Sequence, residues 1–323
     1  MCGDACWPCP GGGSHAFDEG FAAVLSVPFI DAHQHFLDPL RTAYPTLPVQ
    51  LVSQQRTFGP EDLRPELELH DISGTVLVQI LPSMEESREL LTLADSVPFV
   101  LGVVAWVDLT SPDVGTAIEA LRASPGGRHL VGLRHRIHTE ADASWLARDD
   151  VRRGLATVEA AGLVFDLLVR TRELPAAAEA ARALPNLRFV LDHLARPPIA
   201  SGALAAWGRA LLALAESPNV SAKLSGLVTE ADWHTWSIDD LRHPVELAVD
   251  AFGAGRLMLG SDWPLCLLAG SYSDAIDCVR YLVAELPAHE QADIRGGTAA
   301  RVYRLDRHDR GWTDGAGSIW GHG

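Results

Sequence analysis

The stretch FIDAHQH, residues Phe29–His35, begins with apolar residues and ends in two histidines, and it predicts the first strand of a buried sheet. Seven more short runs, each rich in Val, Leu, Ile or Phe, follow it along the chain. These runs lack a clear alternation of apolar and polar residues, which is typical of strands that are buried on both faces of a parallel sheet. The eight predicted strands are Phe29–His35, Thr75–Leu81, Val100–Val107, Leu130–Arg134, Leu163–Val169, Arg188–His193, Val220–Leu224 and Arg256–Asp262.

Helical patterns follow nearly all of these runs, and glycine or proline stands at many of the junctions. Short strands that alternate with helices indicate βαβ units and therefore a parallel sheet. Eight such strands within about 275 residues favour a closed α/β barrel, the (β/α)8 TIM barrel, over an open doubly wound sheet. The predicted helices are Glu85–Ser96, Pro112–Ala123, Trp145–Ala161, Glu173–Leu184, Leu204–Glu216, Asp239–Phe252 and Ser273–Glu285.

The length of 323 residues suits a single barrel domain with insertions, since such barrels need about 250 residues. We expect the barrel over residues 21–305, a flexible Gly-rich N-terminal tail over residues 1–20 and a polar C-terminal tail over residues 306–323. Two long βα loops, Phe36–Pro60 and Gly226–Trp236, follow predicted strand ends. Because barrel enzymes carry their active sites on loops of this kind, we expect these two to form walls of a substrate pocket.

Net charge and composition narrow the range of partners and compartments. The formal charge of −16 disfavours binding to nucleic acid or to anionic membrane surfaces. No apolar stretch approaches the ~18 residues of a transmembrane helix, and the N-terminus lacks the basic start and apolar core of a signal peptide. The five cysteines are an odd number and three of them cluster in the tail, which does not suggest a disulfide framework. We therefore predict a cytoplasmic protein.

Three cysteines of the N-terminal tail, Cys2, Cys6 and Cys9, have the C-x3-C-x2-C spacing that radical enzymes use for an iron–sulfur cluster. In those enzymes the motif follows the first barrel strand, whereas here it precedes every predicted strand. The position of the motif therefore argues against a cluster, and the role of the cysteine-rich tail stays open.

Four residues at predicted strand ends form the candidate reaction centre. His33 and His35 end the first strand two positions apart, so that their imidazoles point to the same side. His193 ends the sixth strand and Asp262 ends the eighth. Because a barrel gathers the carboxyl ends of its strands at one face, these four residues should meet in space. Such a set can bind a divalent metal ion, stabilise an oxyanion and activate a water molecule.

Six further residues are candidates for contact with the substrate. Arg134 and His135 end the fourth strand, and a guanidinium there suits a carboxylate or sugar hydroxyls, unless it pairs with a neighbouring acid. Lys223, in the seventh strand, should either contact the substrate or pair with an acid such as Glu230. For Asp166, orienting a neighbour and forming a structural salt bridge are equally compatible with the sequence. The candidate tryptophans, which could wall the pocket or pack in the core, are Trp106, Trp233 and Trp263.

Seven segments of the chain carry a family resemblance, and they occur in order over most of its length. The segments are IDAHQHFLDP from Ile30, GTVLVQ from Gly74, VGLRH from Val131, FDLLV from Phe165, VLDHLARPP from Val190, KLSGLVTEADW from Lys223 and LGSDWPLC from Leu259. With these segments the chain resembles the amidohydrolase-related lactonases of the amidohydrolase superfamily. That family includes L-fuconolactonases, L-rhamnonolactonases and 2-pyrone-4,6-dicarboxylate lactonases.

The resemblance implies hydrolysis of a cyclic ester, of a sugar acid or a similar small carboxylic acid. It implies that His33, His35 and His193 hold a metal ion or contact the substrate carbonyl. Asp262 would activate water and could also bind the ion. The fourth strand has no lysine that could be carboxylated and the fifth ends near Asp166 rather than a histidine, which argues against a two-metal site. We therefore expect one divalent ion, with zinc as the first candidate, or no metal at all.

Other functions remain open at this point. A metal-dependent non-oxidative decarboxylase of the same superfamily would use a similar set of three histidines and an aspartate, and release of CO2 would distinguish it. Hydrolysis of another cyclic ester or amide in a specialised pathway is compatible with the same residues. A non-catalytic barrel protein would be expected to lack one of the four residues, and all are present. The expected partner is a small-molecule substrate, and self-association into a homo-oligomer stays open.

Overall fold

The computed structural model describes residues 28–40, 43–45 and 47–305 of the chain. The predicted N-terminal tail with its three cysteines and the predicted C-terminal tail lie outside these described residues. Within the described ranges, no helix combines the length and the apolar composition that crossing a bilayer requires.

Eight parallel strands pair in sequence order, each with the next, as the sequence predicts. The two ends of this sheet also meet, because a parallel bridge joins Gln34 of the first strand to Trp263, which follows the last strand. The strands therefore close into a (β/α)8 barrel. They are β1 (Ile30–Gln34), β2 (Gly74–Val78), β3 (Val100–Ala105), β4 (Leu130–His135), β5 (Val164–Leu167), β6 (Arg188–Leu191), β7 (Val220–Leu224) and β8 (Leu257–Leu259).

Backbone hydrogen bonds hold the seam where the segment after β8 meets β1. The amide of His35 donates to the carbonyl of Trp263 at 2.7 Å, and the amide of Asp262 donates to the carbonyl of His33 at 2.8 Å. The seam thus joins two segments that each carry residues of the candidate reaction centre.

The buried carboxylate of Asp31, in β1, stabilises the same seam through hydrogen bonds. It accepts hydrogen bonds from the amide of Ser261 at 2.9 Å, from the hydroxyl of Ser261 at 2.6 Å and from the hydroxyl of Tyr272 at 3.0 Å. Burial raises the pKa of Asp31 to about 6, and these hydrogen bonds limit the rise. Asp31 is close in sequence to His33, and Ser261 is next to Asp262. The hydrogen bonds between Asp31 and Ser261 therefore hold the segment that carries the histidines against the segment that carries Asp262.

The barrel interior is apolar at one end and polar at the other. A buried apolar cluster draws side chains from seven of the eight strands, which places it inside the cylinder, and Ala299, Tyr303 and Leu305 pack against its base. The Tyr303 hydroxyl donates to Asp166 at 2.8 Å, and the polar part of the interior begins there. The strand residues of the cluster are Ile30, Ala32, Val76, Val78, Val104, Val131, Val164, Val190 and Met258.

Helices surround the strands and bury a second, larger apolar core between themselves and the sheet. Each of the two long loops contains a four-residue helix, Val49–Val52 in the first and Leu227–Glu230 in the second. The other α-helices of the described residues are Pro60–Leu69, Met84–Ser96, Val114–Arg122, Asp149–Ala160, Leu174–Ala183, Leu204–Ala215, Ile238–Phe252, Tyr272–Leu282, Ala288–Ala292 and Thr298–Tyr303.

Two of the helices with eight or more residues differ from the sequence prediction. The helix predicted over Trp145–Ala161 is interrupted at Arg148, whose extended backbone separates a 3-10 turn from the helix over Asp149–Ala160. Two aspartates begin the resumed helix, where carboxylates favour a helix N-terminus. The helix Pro60–Leu69 is not predicted, because Pro65 lies inside it and an interior proline normally ends a helix.

Candidate active site

A cavity of about 450 Å³ opens at the carboxyl ends of the strands, where the sequence places the chemistry. A volume of this size suits a small-molecule substrate. Both long loops contribute to its wall, the first through Leu47 and Pro48 and the second through Gly226, Thr229 and Glu230. The predicted site residues in its lining are His35, Arg134, His193, Trp233 and Asp262.

His33, His35 and Asp262 converge at the base of this cavity. The Nε2 atoms of His33 and His35 lie 3.2 Å apart. The Oδ1 atom of Asp262 lies 3.4 Å from Nε2 of His35 and 3.7 Å from Nε2 of His33. Residues that are 229 positions apart in sequence reach contact distance because the closed barrel makes β1 and β8 neighbours.

His193 completes the group from the β6 side. Its Nε2 atom lies 3.9 Å from Oδ1 of Asp262, and its Nδ1 atom lies 2.8 Å from the hydroxyl of Ser225. Its ring centroid is 4.4 Å from that of His33. The three histidines that the sequence predicts for the reaction centre therefore surround the carboxylate of Asp262.

The environment of Asp262 keeps this carboxylate ionised. Burial acts to raise its pKa, but the neighbouring His193, His35 and His33 outweigh burial and hold the pKa of Asp262 below its usual range. Its Oδ1 atom is buried and has no hydrogen-bond partner among the described residues. Because an unpartnered buried carboxylate oxygen is costly, this atom is a natural acceptor for a water molecule or a cation.

Hydrogen bonding fixes the orientation of His35. Its Nδ1 atom lies 2.6 Å from the carbonyl oxygen of Val78. Since a carbonyl oxygen only accepts, Nδ1 carries the proton. Burial lowers the pKa of His35, so that the ring is neutral and Nε2 presents its lone pair to the cavity.

The same reasoning applies to His33, which lies deeper. Its Nδ1 atom is 3.2 Å from Oδ1 of Asp192, and its Nε2 atom is 3.3 Å from Nη1 of Arg134. Nδ1 also lies 3.1 Å from Nζ of Lys223, so it faces both a donor and an acceptor, whereas Nε2 faces the Arg134 guanidinium, which only donates. The neutral ring therefore carries its lone pair on Nε2. Burial and the charge of Lys223 lower the pKa of His33, which keeps this ring neutral as well.

Lys223 lies behind His33 and is fully buried. Its Nζ atom is 2.6 Å from Oδ2 of Asp166 and 2.9 Å from Oδ1 of Asp192. Of the two roles that the sequence leaves open for Lys223, pairing with an acid is the one observed, and Glu230 is the wrong partner. The reason is that β7 directs Lys223 into the barrel interior, below the described lining of the cavity, whereas Glu230 belongs to the loop beyond the strand. Asp166 forms the structural salt bridge.

An unusual turn after β6 carries His193. The φ angles of His193, Leu194, Ala195 and Arg196 all lie between 50° and 60°, in the left-handed region that residues other than glycine seldom occupy in succession. Leu194 and Ala195 are fully buried, and Nε1 of Trp207 donates to the carbonyl of Leu194 at 2.6 Å. These contacts hold the turn, which presents both His193 and Arg196 to the cavity.

Three residues that are predicted to contact the substrate, Trp106, His135 and Trp263, lie outside the described lining of the cavity and contact other side chains instead. Nε1 of Trp106 donates to Nδ1 of His135 at 3.1 Å. The other ring nitrogen of His135 lies 2.7 Å from Glu140, and its ring stacks on Trp145 with centroids 4.3 Å apart. Trp263 packs edge-to-face against two phenylalanines of the first long loop. Direct contact with the substrate therefore fits Arg134 and Trp233 better than these three residues.

Three arginines that the sequence motifs do not single out also line the cavity, namely Arg136, Arg170 and Arg196. They follow the ends of β4, β5 and β6 by one to five residues, and this placement at the rim is the signal that could identify them. Glu230 pairs with Arg196 and also with Arg170, whose Nη1 atom is 3.6 Å from Oε2. Asp192 is missed too, although it directly follows β6.

His33, His35 and Asp262 form a candidate site for a divalent metal ion, since their ligand atoms all lie within 4.8 Å of one another. Two imidazole lone pairs and an unpartnered carboxylate oxygen are the donors that such an ion prefers. A second group, His33 with Asp192 and His193, satisfies the same distance criterion. Its aspartate is already ion-paired with a lysine and an arginine, so the first group fits a metal ion better.

Known proteins are similar to this chain over most of its length. A model of the amidohydrolase family matches residues 30–305. L-fucono-1,5-lactonase from Burkholderia ambifaria is 42% identical over 284 residues, which cover 86% of this chain and 96% of that protein. L-fucono-1,5-lactonase from Burkholderia multivorans is 38% identical over 287 residues, which cover 85% and 96%. A crystal structure of an amidohydrolase from Burkholderia multivorans with bound Zn has 37% identity and a TM-score of 0.81, covering 86% of this chain and 100% of that chain.

A closed (β/α)8 barrel with histidines and an aspartate at the carboxyl ends of its strands places the protein among the barrel enzymes. The chain belongs to the amidohydrolase family, because the family model extends from β1 to the last described residue. It is a lactone-hydrolysing enzyme. The decarboxylase alternative has less support, since both of these curated relatives are lactonases.

Proposed function

We propose that the enzyme opens the lactone of a sugar acid with a water molecule that Asp262 activates. The convergence of Asp262 with His33 and His35 at the base of the cavity is the observation that carries this proposal. L-Fucono-1,5-lactone is the first substrate to test, because two relatives are named for it.

Asp262 is the proposed base and later the proposed acid. Because the neighbouring histidines hold its pKa low, the carboxylate is ionised and can accept a proton as the water oxygen attacks the lactone carbonyl. When the ring C–O bond breaks, the same carboxyl group returns the proton to the departing ring oxygen. The products are a hydroxyl group and a carboxylate on one open-chain acid.

Developing negative charge on the carbonyl oxygen needs donors that are already in place. His193 and Arg134 both line the cavity, and the Nη1 atom of Arg134 is anchored 3.0 Å from Oδ2 of Asp192. A guanidinium that is held by a buried carboxylate keeps its remaining N–H groups in fixed directions. We assign to Arg134 and His193 the stabilisation of the oxyanion and the orientation of the substrate.

Zinc is the proposed metal, held by His33, His35 and Asp262, and His193 is the remaining candidate ligand. A bound Zn²⁺ would supply Lewis acidity and would lower the pKa of a coordinated water. The protein's own contribution is to hold two neutral imidazoles with their Nε2 lone pairs toward Asp262, through Val78 and Asp192. The bound Zn of the related amidohydrolase structure supports this choice of metal.

We propose at most one ion per chain. β4 contains no lysine that could be carboxylated to bridge two ions, and Asp166 on β5 is paired with Lys223. Metal analysis of the purified enzyme should therefore find no more than one equivalent. Two stoichiometric ions would contradict this assignment.

A pH-indicator assay tests the function directly. Sugar-acid and aromatic-derived lactones, with L-fucono-1,5-lactone included, are incubated with the enzyme before and after chelator treatment, and spontaneous hydrolysis is subtracted. Acid release without CO2 is the expected result, and readdition of Zn²⁺ should restore any activity that the chelator removes. Release of CO2 from a hydroxybenzoate substrate, with no lactone hydrolysed, would favour the decarboxylase.

A further inference from the structure

His138 lines the cavity on the side opposite the reaction centre. It lies in a 3-10 turn, Ile137–Thr139, that follows β4, and in a closed ring of eight strands β4 lies opposite β8. Asp262 follows β8, so the two side chains belong to opposite sides of the cavity. His138 takes no part in the proposed mechanism.

Two hydrogen bonds hold this turn and orient the His138 ring. The backbone amide of His138 donates to the carbonyl of Leu168 at 3.2 Å, and Nδ1 of the same residue lies 3.3 Å from that carbonyl oxygen. Since a carbonyl oxygen only accepts, Nδ1 carries a proton. The turn after β4 is thereby tied to the segment after β5, which gives the half-buried ring a fixed orientation.

The ring of His138 is neutral, so its other nitrogen is an acceptor. Burial, followed by the positive charge of Arg196, lowers the pKa of His138 to about 4, and the hydrogen bond to Leu168 limits the fall. At neutral pH the ring therefore holds a single proton, which is the one on Nδ1. Nε2 keeps its lone pair and is the nitrogen left for a ligand.

The side chains around His138 in the described lining are mainly hydrogen-bond donors. Guanidiniums only donate, and the carboxylate of Glu230 is paired with Arg196 and Arg170. A sugar hydroxyl both donates and accepts, so a hydroxyl that accepts from a guanidinium still needs an acceptor for its own proton. Nε2 of His138 can be that acceptor on this side of the cavity. The arginines of the described lining are Arg134, Arg136, Arg170 and Arg196.

We propose that Nε2 of His138 accepts a hydrogen bond from a ring hydroxyl of the lactone, on the side of the ring remote from the scissile ester. In a 1,5-lactone the carbonyl carbon is C1 and C4 lies opposite it in the six-membered ring, so the C4 hydroxyl is the one assigned to His138. His138 is then a specificity-determining residue that favours lactones hydroxylated at C4. This inference rests on the proposed lactone hydrolysis and adds the hydroxyl pattern of the substrate to it.

Lactones that each lack one hydroxyl locate the contact. The 1,5-lactone of L-fuconate is compared with its 2-deoxy and 4-deoxy analogues, in wild type and in His138→Leu, which removes the acceptor and keeps an apolar side chain. We expect His138→Leu to lower kcat/KM for the parent lactone and the 2-deoxy analogue about threefold to tenfold, mainly through KM, because a neutral hydrogen bond contributes about that much. For the 4-deoxy analogue, wild type and variant should agree within about twofold. An equal loss on all three lactones would overturn the assignment and leave lactone hydrolysis standing.

A conservative variant and a surface control separate hydrogen bonding from packing. His138→Gln offers an amide oxygen in place of Nε2, so it should keep kcat/KM for the parent lactone within about threefold of wild type. His243→Leu is the matched control, because His243 is exposed on the helix Ile238–Phe252. It should leave kcat/KM for all three lactones at the wild-type values. A loss in His138→Gln as large as that in His138→Leu would refute the role as an acceptor.

A binding measurement does not depend on turnover. 1,5-Anhydro-L-fucitol has the ring hydroxyls of the lactone but no carbonyl group, so the enzyme cannot hydrolyse it. In isothermal titration of the intact enzyme, His138→Leu should weaken the binding of this compound about threefold to tenfold. If no lactone is hydrolysed but this weakening is observed, the proposed function fails and the contact stands. If wild type and variant bind the compound equally, or neither binds it, the contact fails whichever lactones are turned over.

Discussion

The two sides of the cavity hold their charged groups in different ways. On the β8–β1 side, His33, His35 and Asp262 are at most 3% exposed, and backbone bonds across the seam fix the segments that carry them. On the β4–β6 side, Arg170 and Arg196 reach into the cavity on long side chains that keep substantial exposure. Groups that take part in the reaction must keep fixed positions and orientations, whereas side chains that only contact a ligand tolerate more freedom.

The largest expected effect comes from removing the base on the buried side. Asp262→Asn should lower kcat about a thousandfold or more, because an amide cannot take a proton from water at neutral pH. The fold should survive, since the side chain keeps its shape and size. Steady-state kinetics and circular dichroism of the same preparation check both statements, and wild-type turnover would exclude Asp262 as the base.

The next effect is on stability and concerns Lys223 with Asp166 and Asp192, which lie beneath the reaction centre. Lys223→Met leaves Asp166 without its buried lysine partner and Asp192 with only one cation, and breaking a buried pair in this way costs about 3–5 kcal/mol. Urea denaturation should show the loss as a lower midpoint. A loss below about 1 kcal/mol, the range of an exposed pair, would mean that the layer contributes little.

Gly226 lies against His193 and Asp262, so an alanine at this position tests how closely these two side chains are packed. An added Cβ there would lie 2.8 Å from Nδ1 of His193 and 3.0 Å from Oδ2 of Asp262, and φ is +61°. Gly226→Ala should therefore lower kcat about tenfold to a hundredfold by displacing one of these groups. Gly202→Ala is the control, because φ is +68° there and an added Cβ meets nothing within 4 Å. Equal kcat values in the two variants would show that backbone strain alone, not displacement, accounts for the effect.

The last expected effect concerns Glu86, whose carboxylate interacts electrostatically with Arg134 and Arg136. Its carboxylate accepts hydrogen bonds from the backbone amides of Ile80 and Leu81, and burial raises its pKa to about 7. An acid with a raised folded pKa stabilises the protein fully below its unfolded pKa of about 4.5, and this contribution is lost as pH rises through about 7. Glu86→Gln cannot titrate, so its stability relative to wild type should rise by up to about 3 kcal/mol between pH 4.5 and 8. Thermal unfolding at several pH values measures the difference, and a constant offset would contradict it.

The apolar runs of the sequence are sufficient to predict all eight strands, because a strand buried on both faces leaves an uninterrupted apolar signal. Helix boundaries are less determined by local sequence. The interruption at Arg148 and the helix around Pro65 depend on how each segment packs against the barrel, and propensity gives the opposite indication at both.

By itself, the sequence determined the barrel and the residue types at the ends of its strands, and hence that His33, His35, His193 and Asp262 meet. The tertiary structure alone decided which charged groups pair. Lys223 pairs with Asp166 and Asp192, and Arg170 and Arg196 both pair with Glu230. The physical reason is that alternation along a strand fixes which way a side chain points, whereas electrostatic pairing depends on distances of a few ångströms between strands that the sequence does not specify.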